Sequence, residues 1–201
     1  MFEIFLQSFV LYFVVIDPFG TTPIFMSVTQ HQNSQEKMKT AIEGVLIATI
    51  ILIFFSVVGN FLLTYLNISL GAFKIAGGII LFIIALEMLF DKRQERKEKN
   101  IKNISDNVAV FPLAIPLLSG PAAITSVIVI VSEFGDNFVY QLIGVSSLFS
   151  VMLITLILFT IVSKSQQFIN KKVINVFSRV ISIILAGLSI QYIIDGIISL
   201  I

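Results

Sequence analysis

Two short proline-rich stretches constrain this chain more than any other feature of its sequence. They hold all five prolines, and each interrupts a long apolar segment: DPFGTTP spans 17–23 and PLAIPLLSGP spans 112–121. A proline inside a helix removes a backbone hydrogen bond and clashes with the preceding turn. Within a bilayer, such a break is tolerated only where protein buries it or where it lines a watery cavity. We therefore predict two broken membrane helices whose breaks lie near the midplane, inside the protein.

The composition indicates that the chain crosses a membrane several times. Hydrophobic residues make up 57% of it and charged residues 12%. About 20 mostly apolar residues cross a hydrocarbon core of roughly 30 Å. Six stretches are long enough: 4–29, 40–64, 68–90, 109–131, 139–163 and 173–199. We predict an all-α membrane protein with six transmembrane helices in a single membrane domain over residues 1–201, which leaves no room for a soluble catalytic domain.

The positions of the basic residues predict the orientation. The segment 91–108 carries six Lys or Arg residues, and the loops around residues 37–39 and 164–172 carry further lysines. The loops on the opposite side contain Glu133 and Asp136 but no Lys or Arg. Because basic loops stay in the cytoplasm, we predict an inner-membrane (cell-membrane) protein with both termini outside the cytoplasm.

The chain divides into two similar halves around the polar segment. Residues 1–90 form repeat one, 91–108 a cytoplasmic basic linker and 109–201 repeat two, so each half has three spans. A shift of 98 positions superimposes Pro18 on Pro116, Pro23 on Pro121, Thr21 on Ser119 and Ser27 on Thr125. Because each half has an odd number of spans, the second half must enter the membrane from the opposite face. We predict two inverted three-helix repeats, an arrangement that places transporter sites at the repeat interface.

The residues around each break predict where a half-helix begins. Thr22 followed by Pro23, and Gly120 followed by Pro121, match the N-cap and first-position preferences of helices. The first N–H groups of a helix have no intrahelical partner and carry partial positive charge, so they bind anions such as carboxylates. We predict that both half-helix termini converge on a shared central cavity.

Asp17 is a candidate functional residue because a charged side chain at the membrane centre costs about 2.5–3.5 kcal/mol on insertion scales. It could ligate a cation, carry a coupling proton or pair with a substrate ammonium group. It could equally cap the backbone groups that Pro18 leaves free. The predicted substrate-binding residues are Asp17, Gly20, Thr21, Thr22, Ser119, Gly120 and Thr125. The predicted structural breaks are Pro18, Pro23, Pro116 and Pro121.

The remaining ionisable residues favour interfacial roles. Glu43, Glu87, Lys74 and Asp195 all lie near the ends of predicted spans, and Lys74 has no evident partner in the sequence. The chain has no cysteine and one histidine, so we predict no metal site and no cofactor.

Three separated motifs resemble the MarC family, most closely its YhgN-like branch. They are DPFGTTPIF from Asp17, KIAGGIILF from Lys74 and PLLSGP from Pro116, and the similarity covers nearly the whole chain. The family is similar to six-span neutral amino acid transporters, some of which move glycine, alanine and other small neutral amino acids. The chain departs from the family at Ile42, where an Arg often precedes the Glu matched by Glu43. Family members commonly carry Asn at the position of Asp17.

Four function classes follow. The leading one is a secondary transporter of small neutral amino acids, coupled to a proton or a sodium ion. The alternative is a passive channel or exporter of small solutes, which needs no protonation change. An intramembrane hydrolase would need a second central acid or a nucleophile with its base, and a scaffold would leave the matched breaks without a use. We expect a non-enzyme whose partners are the lipid bilayer and a small-molecule substrate, with no nucleic acid; no oligomeric state is predicted.

Overall fold

The structure, a computed structural model, describes residues 1–90, 107–135, 137–164 and 171–200, without the side chains of 171–175 and 177. Eight helical elements occupy these ranges: α1 (Phe2–Ile16), α2 (Pro18–Val28), α3 (Ser34–Tyr65), α4 (Leu70–Leu89), α5 (Ala109–Leu118), α6 (Pro121–Glu133), α7 (Phe138–Lys164) and α8 (Lys171–Ile198). The described ranges contain no strand, which confirms the all-α prediction. The predicted linker 91–108 lies outside them except for Asn107 and Val108.

The helices provide five or six candidate membrane spans. α1 and α2 together form one apolar span, and α3, α4, α7 and Ser178–Ile198 of α8 are each long and apolar enough to cross a membrane. α5 and α6 are bent by 55° relative to each other and would make a sixth span if they are counted together. The protein is therefore a multi-pass helical membrane protein.

Side-chain caps set the starts of α3 and α4. Asn33 Oδ1 accepts hydrogen bonds from the N–H groups of Gln35 and Glu36 at 3.0 Å, and Glu36 Oε2 accepts one from the Asn33 N–H at 2.9 Å. This capping box satisfies donors that a helix start otherwise leaves free. It starts α3 at Ser34, six residues before the predicted span. Lys37, predicted to lie in a loop, is therefore inside α3 and only 6% exposed.

Glycine contacts hold α4 against α8. A Cβ atom at Gly78 would lie 2.7 Å from the Ser189 carbonyl oxygen, and one at Gly196 would lie 2.7 Å from the Gly71 carbonyl oxygen. Helices in membranes associate through such small residues because hydrocarbon provides no hydrophobic drive between them. α4 is the third span of predicted repeat one and α8 is the third span of predicted repeat two, so this contact joins the two repeats.

The two broken spans pack against the long helices α3 and α7. α7 packs against α1, α2 and α3, while α3 packs against α5 and α6. Phe25 of α2 stacks on Phe159 of α7 with ring centroids 4.3 Å apart, and neither side chain is exposed. Large apolar side chains on α3, such as Phe54 and Phe61, are exposed and suit contact with lipid. The long helices therefore shield the first break, where Pro18 and Gly20 are buried, whereas Ile115, Pro116 and Pro121 at the second break are exposed.

Candidate substrate site at the helix breaks

Asp17 forms the first break and caps the helix that follows it. Its backbone is left-handed, with φ 54° and ψ 67°, so α1 ends there. Its Oδ1 atom accepts a hydrogen bond from the Gly20 N–H at 2.9 Å, which starts α2 at Pro18. The prediction of a start at Thr22 was wrong, and Pro23, predicted as a break, lies inside α2. An upstream acidic cap was available, so the helix begins four residues before the predicted start.

The two threonines after the break donate their hydroxyl protons to their own helix. Thr22 Oγ1 donates to the Pro18 carbonyl at 2.7 Å, and Thr21 Oγ1 donates to the Asp17 carbonyl at 2.9 Å. Both side chains are buried. A hydroxyl that donates its proton to one hydrogen bond can still accept others through its lone pairs. The polar groups at the first break are therefore the threonine oxygens, which can accept hydrogen bonds, and the Asp17 carboxylate. The start of α2 is already capped by Asp17.

The second break has the opposite polarity. The backbone leaves helical geometry at Phe111 and Ile115, and the Ser119 N–H and hydroxyl both donate to the Ala114 carbonyl, at 2.9 and 2.8 Å. α6 then begins at Pro121 with Gly120 as its N-cap, as predicted. Gly120 has no side chain to cap the helix, and Pro121 has no N–H. The first N–H groups of α6 thus remain available as donors.

Close backbone packing requires a glycine at position 120. A Cβ atom there would lie 2.5 Å from the Pro116 carbonyl oxygen. We expect Gly120→Ala to lower the stability of the protein by about 1–3 kcal/mol, because backbone must move to make room. Thermal unfolding in detergent measures this. Gly187→Ala serves as a comparison without a steric clash or backbone strain, since nothing lies within 4 Å of its Cβ position and its backbone is helical. Equal melting of Gly120→Ala and the wild type would contradict the close contact.

The two breaks correspond at a different offset from the one predicted. Pro18 and Pro121 are each the first residue of the helix after the break, so the structural offset is 103 positions. At that offset Thr22 corresponds to Thr125, whereas Thr21 and Ser119 no longer match. α1 packs against α6 and α2 against α5, so the two broken spans are neighbours. The structure thereby brings the two groups of predicted site residues into adjoining elements.

Thr125 packs through its methyl group against α4. A Cβ atom at Gly77 would lie 2.5 Å from Thr125 Cγ2, so the glycine permits this approach of α4 to α6. The sequence also suggests a second match between the halves, of Ala72, Ala76 and Gly77 with Ser182, Ala186 and Gly187 at a shift of 110 positions. Gly187 is nevertheless exposed and has nothing within 4 Å of its Cβ position. The two sequence-matched glycines therefore have different roles.

Two cavities lie at opposite ends of the bundle. The α1-end cavity, of about 280 Å³, is lined by residues that include Gln7, Ser8, Glu133, Gln191, Tyr192 and Asp195. The α3-end cavity, of about 270 Å³, is lined by residues that include Gln32, Glu36, Lys39, Thr40, Glu43 and Asn107. Neither is lined by a predicted site residue, so the shared central cavity expected at Thr21, Thr22, Ser119 and Gly120 stays a prediction.

An ion pair that sequence reasoning missed borders the α1-end cavity. Lys74 Nζ lies 3.0 Å from Glu133 Oε1, which links α4 to the end of α6. Lys74 is 8% exposed, so this is a mostly buried ammonium group with a partner, and the prediction that it extends alone to the interface was wrong. Lys74 and Glu133 are 59 positions apart in the sequence. The only local indication of an ion pair was the position of a lysine one turn inside a predicted span.

The MarC family profile, described as MarC family integral membrane protein, matches residues 2–201. This chain belongs to the MarC family. It is 32% identical over 200 residues to the UPF0056 membrane protein MJ0972 of Methanocaldococcus jannaschii, covering 98% of this chain and 87% of the relative. It is 30% identical over 201 residues to the UPF0056 membrane protein YhcE of Escherichia coli, covering 98% and 93%. These names specify no substrate. No solved structure matches the chain.

Proposed function

We propose that this MarC family protein is a secondary transporter of small neutral amino acids such as glycine and alanine, coupled to a proton or a sodium ion, and not an enzyme. One observation carries the proposal: two neighbouring spans are broken, and the breaks have opposite polarity. The first offers the Asp17 carboxylate and threonine oxygens, and the second offers uncapped N–H groups at the start of α6. Broken spans at a repeat interface are typical of transporter binding sites.

This polarity is complementary to a zwitterion. An amino acid's ammonium group donates hydrogen bonds and suits the first break, while its carboxylate suits the N-terminus of α6. Asp17 already caps α2, so only one of the two helix termini is free to bind the carboxylate. Small residues follow Gly120: Ala122 and Ala123 are both buried, which keeps bulky side chains away from the second break.

The helix contacts support two inverted repeats. If repeat one (α1–α4) is exchanged with repeat two (α5–α8), the pairs α3–α7 and α4–α8 map onto themselves. The pairs α1–α7 and α3–α5 map onto each other, as do α2–α7 with α3–α6, and α4–α6 with α2–α8. A pseudo-twofold arrangement produces such reciprocal pairs, and rocking one repeat against the other would open a central site to either end.

Access and orientation complete the proposal. The two cavities lie at opposite ends of the broken spans and would serve as vestibules on the two sides of the membrane. The E. coli relative and the basic loops favour the inner membrane, with the α1 end outside the cytoplasm. A passive channel or exporter of small solutes would use the same vestibules and remains the alternative.

Uptake by proteoliposomes tests the proposal. The purified protein is reconstituted, radiolabelled glycine, alanine and leucine are added outside, and proton and sodium gradients are imposed separately. We expect glycine or alanine to accumulate above its external concentration with one gradient and not with the other. Equilibration without accumulation would favour the channel. No flux of any of the three above that of empty liposomes would contradict amino acid transport.

A further inference from the structure

The α1-end cavity has the chemistry of a binding site, although none of the predicted site residues lines it. We propose that it binds the ammonium group of a small primary amine or amino acid. The claim that this group belongs to a transported substrate rests on the proposed function, whereas the claim that the cavity binds ammonium does not.

Among the described residues, one negative charge at the cavity has no cationic partner. Glu133 and Asp195 both line it, from the ends of α6 and α8, and Glu133 pairs with Lys74 at 3.0 Å. Asp195 Oδ1 accepts a hydrogen bond from Gln191 Nε2 at 2.7 Å and has no ion pair within the described ranges. The negative charge of Asp195 therefore attracts a monovalent cation to the α1-end cavity.

Ser8 provides a second and independent indication of a ligand. It lines the cavity and is 3% exposed, yet its hydroxyl makes no hydrogen bond to any described part of the chain. The buried hydroxyls of Thr21, Thr22 and Ser126 instead bond back to carbonyls of their own helix. The Ser8 hydroxyl therefore keeps its hydrogen-bonding capacity for a molecule in the cavity.

The surrounding oxygens fit an ammonium group better than a divalent metal ion. An ammonium group donates three hydrogen bonds, and Ser8, Asp195 and Tyr192, whose side chains carry acceptor oxygens, line the cavity. Divalent metal sites need several anionic or imidazole ligands, and the described residues contain no group of three His, Cys, Asp or Glu that could hold one. The volume of about 280 Å³ accommodates a molecule of several heavy atoms.

The absence of cysteine from the chain allows a direct test with a single engineered thiol. Leu188 lines the cavity but supplies none of the proposed acceptors, so Leu188→Cys places a thiol at the site without removing an acceptor. Thr64→Cys, on the exposed last turn of α3, is the control. Each variant is placed in lipid nanodiscs, so that both faces are accessible. It is then reacted with a trimethylammonium-ethyl and a sulfonatoethyl methanethiosulfonate.

We expect the cationic reagent to be favoured over the anionic one about tenfold more at residue 188 than at residue 64, because one unpaired carboxylate faces the thiol. Ethylammonium chloride should slow the modification of residue 188, and sodium chloride at equal ionic strength should not. Adding Asp195→Asn, which keeps an acceptor for Gln191, should remove both the charge preference and the protection. Adding Ser8→Ala should weaken the protection severalfold while leaving the charge preference.

Several outcomes would overturn the inference. They are equal charge preference at residues 188 and 64, a thiol at 188 that neither reagent reaches, protection by sodium equal to that by ethylammonium, or protection that survives Asp195→Asn. The proteoliposome uptake assay is scored separately. Protection without amino acid uptake would refute the proposed transport and leave the ammonium site standing, whereas uptake without protection would refute this inference alone.

Discussion

Replacing Gly78 by Leu should destabilise the protein by about 3 kcal/mol, because overpacking a close contact forces side chains and backbone apart. A Cβ atom at Gly78 would lie 2.7 Å from both the Ser189 carbonyl oxygen and Ile193 Cγ1 of α8. The carbonyl belongs to helix backbone and cannot rotate away. We expect the melting temperature in detergent, followed by circular dichroism at 222 nm, to fall by roughly 5 °C or more.

Gly187→Leu is the matched control for this substitution. Gly187 lies on an exposed face of α8 with nothing within 4 Å of its Cβ position. Replacing a helical glycine removes its conformational penalty of about 0.8–1.0 kcal/mol, and this gain applies to both variants. The control should therefore melt at or slightly above the wild-type temperature. If the two variants melted together, the close packing of α4 on α8 at Gly78 would be wrong.

Asp17→Asn should abolish concentrative uptake while the protein remains folded. Asn is one of the few residues that tolerate left-handed backbone, and its amide oxygen can accept the Gly20 N–H as Asp17 Oδ1 does. What Asn cannot do is carry a negative charge or exchange a proton. If Asp17 carries or binds the coupling ion, accumulation should fall to equilibration, whereas counterflow exchange, which needs no net ion movement, should survive.

The Asp17→Ala variant shows what loss of the α2 cap does, which is distinct from the loss of charge tested by Asp17→Asn. Loss of the cap costs about 0.5–2 kcal/mol, and a left-handed residue with a Cβ costs roughly 1–2 kcal/mol. The Ala variant should therefore melt well below the Asn variant. Uptake is measured against pH for wild type and Asp17→Asn at equal protein levels. The same accumulation and the same pH profile in both would leave Asp17 as the cap of α2 and nothing more.

Local preferences account for the parts of the site that the sequence predicted correctly. Gly120 followed by Pro121 starts a helix because Pro suits the first helical position and removes an N–H that would have no partner there. At the first break, both Asp17-Pro18 and Thr22-Pro23 satisfy the same rule, so a local argument could not choose between them. The structure begins α2 at Pro18, which places the two threonine hydroxyls inside a helix, where they bond to its carbonyls.

The sequence by itself determined that this is a helical membrane protein with breaks in two of its apolar segments. Span length, apolar content and the effect of proline on a helix are properties of one segment at a time. Tertiary structure alone decided that Lys74 pairs with Glu133, that Lys37 is buried and that Gly77, but not its match Gly187, contacts another helix. These contacts depend on which helix faces meet, and apolar residues cover nearly every face of helices that are stable in lipid.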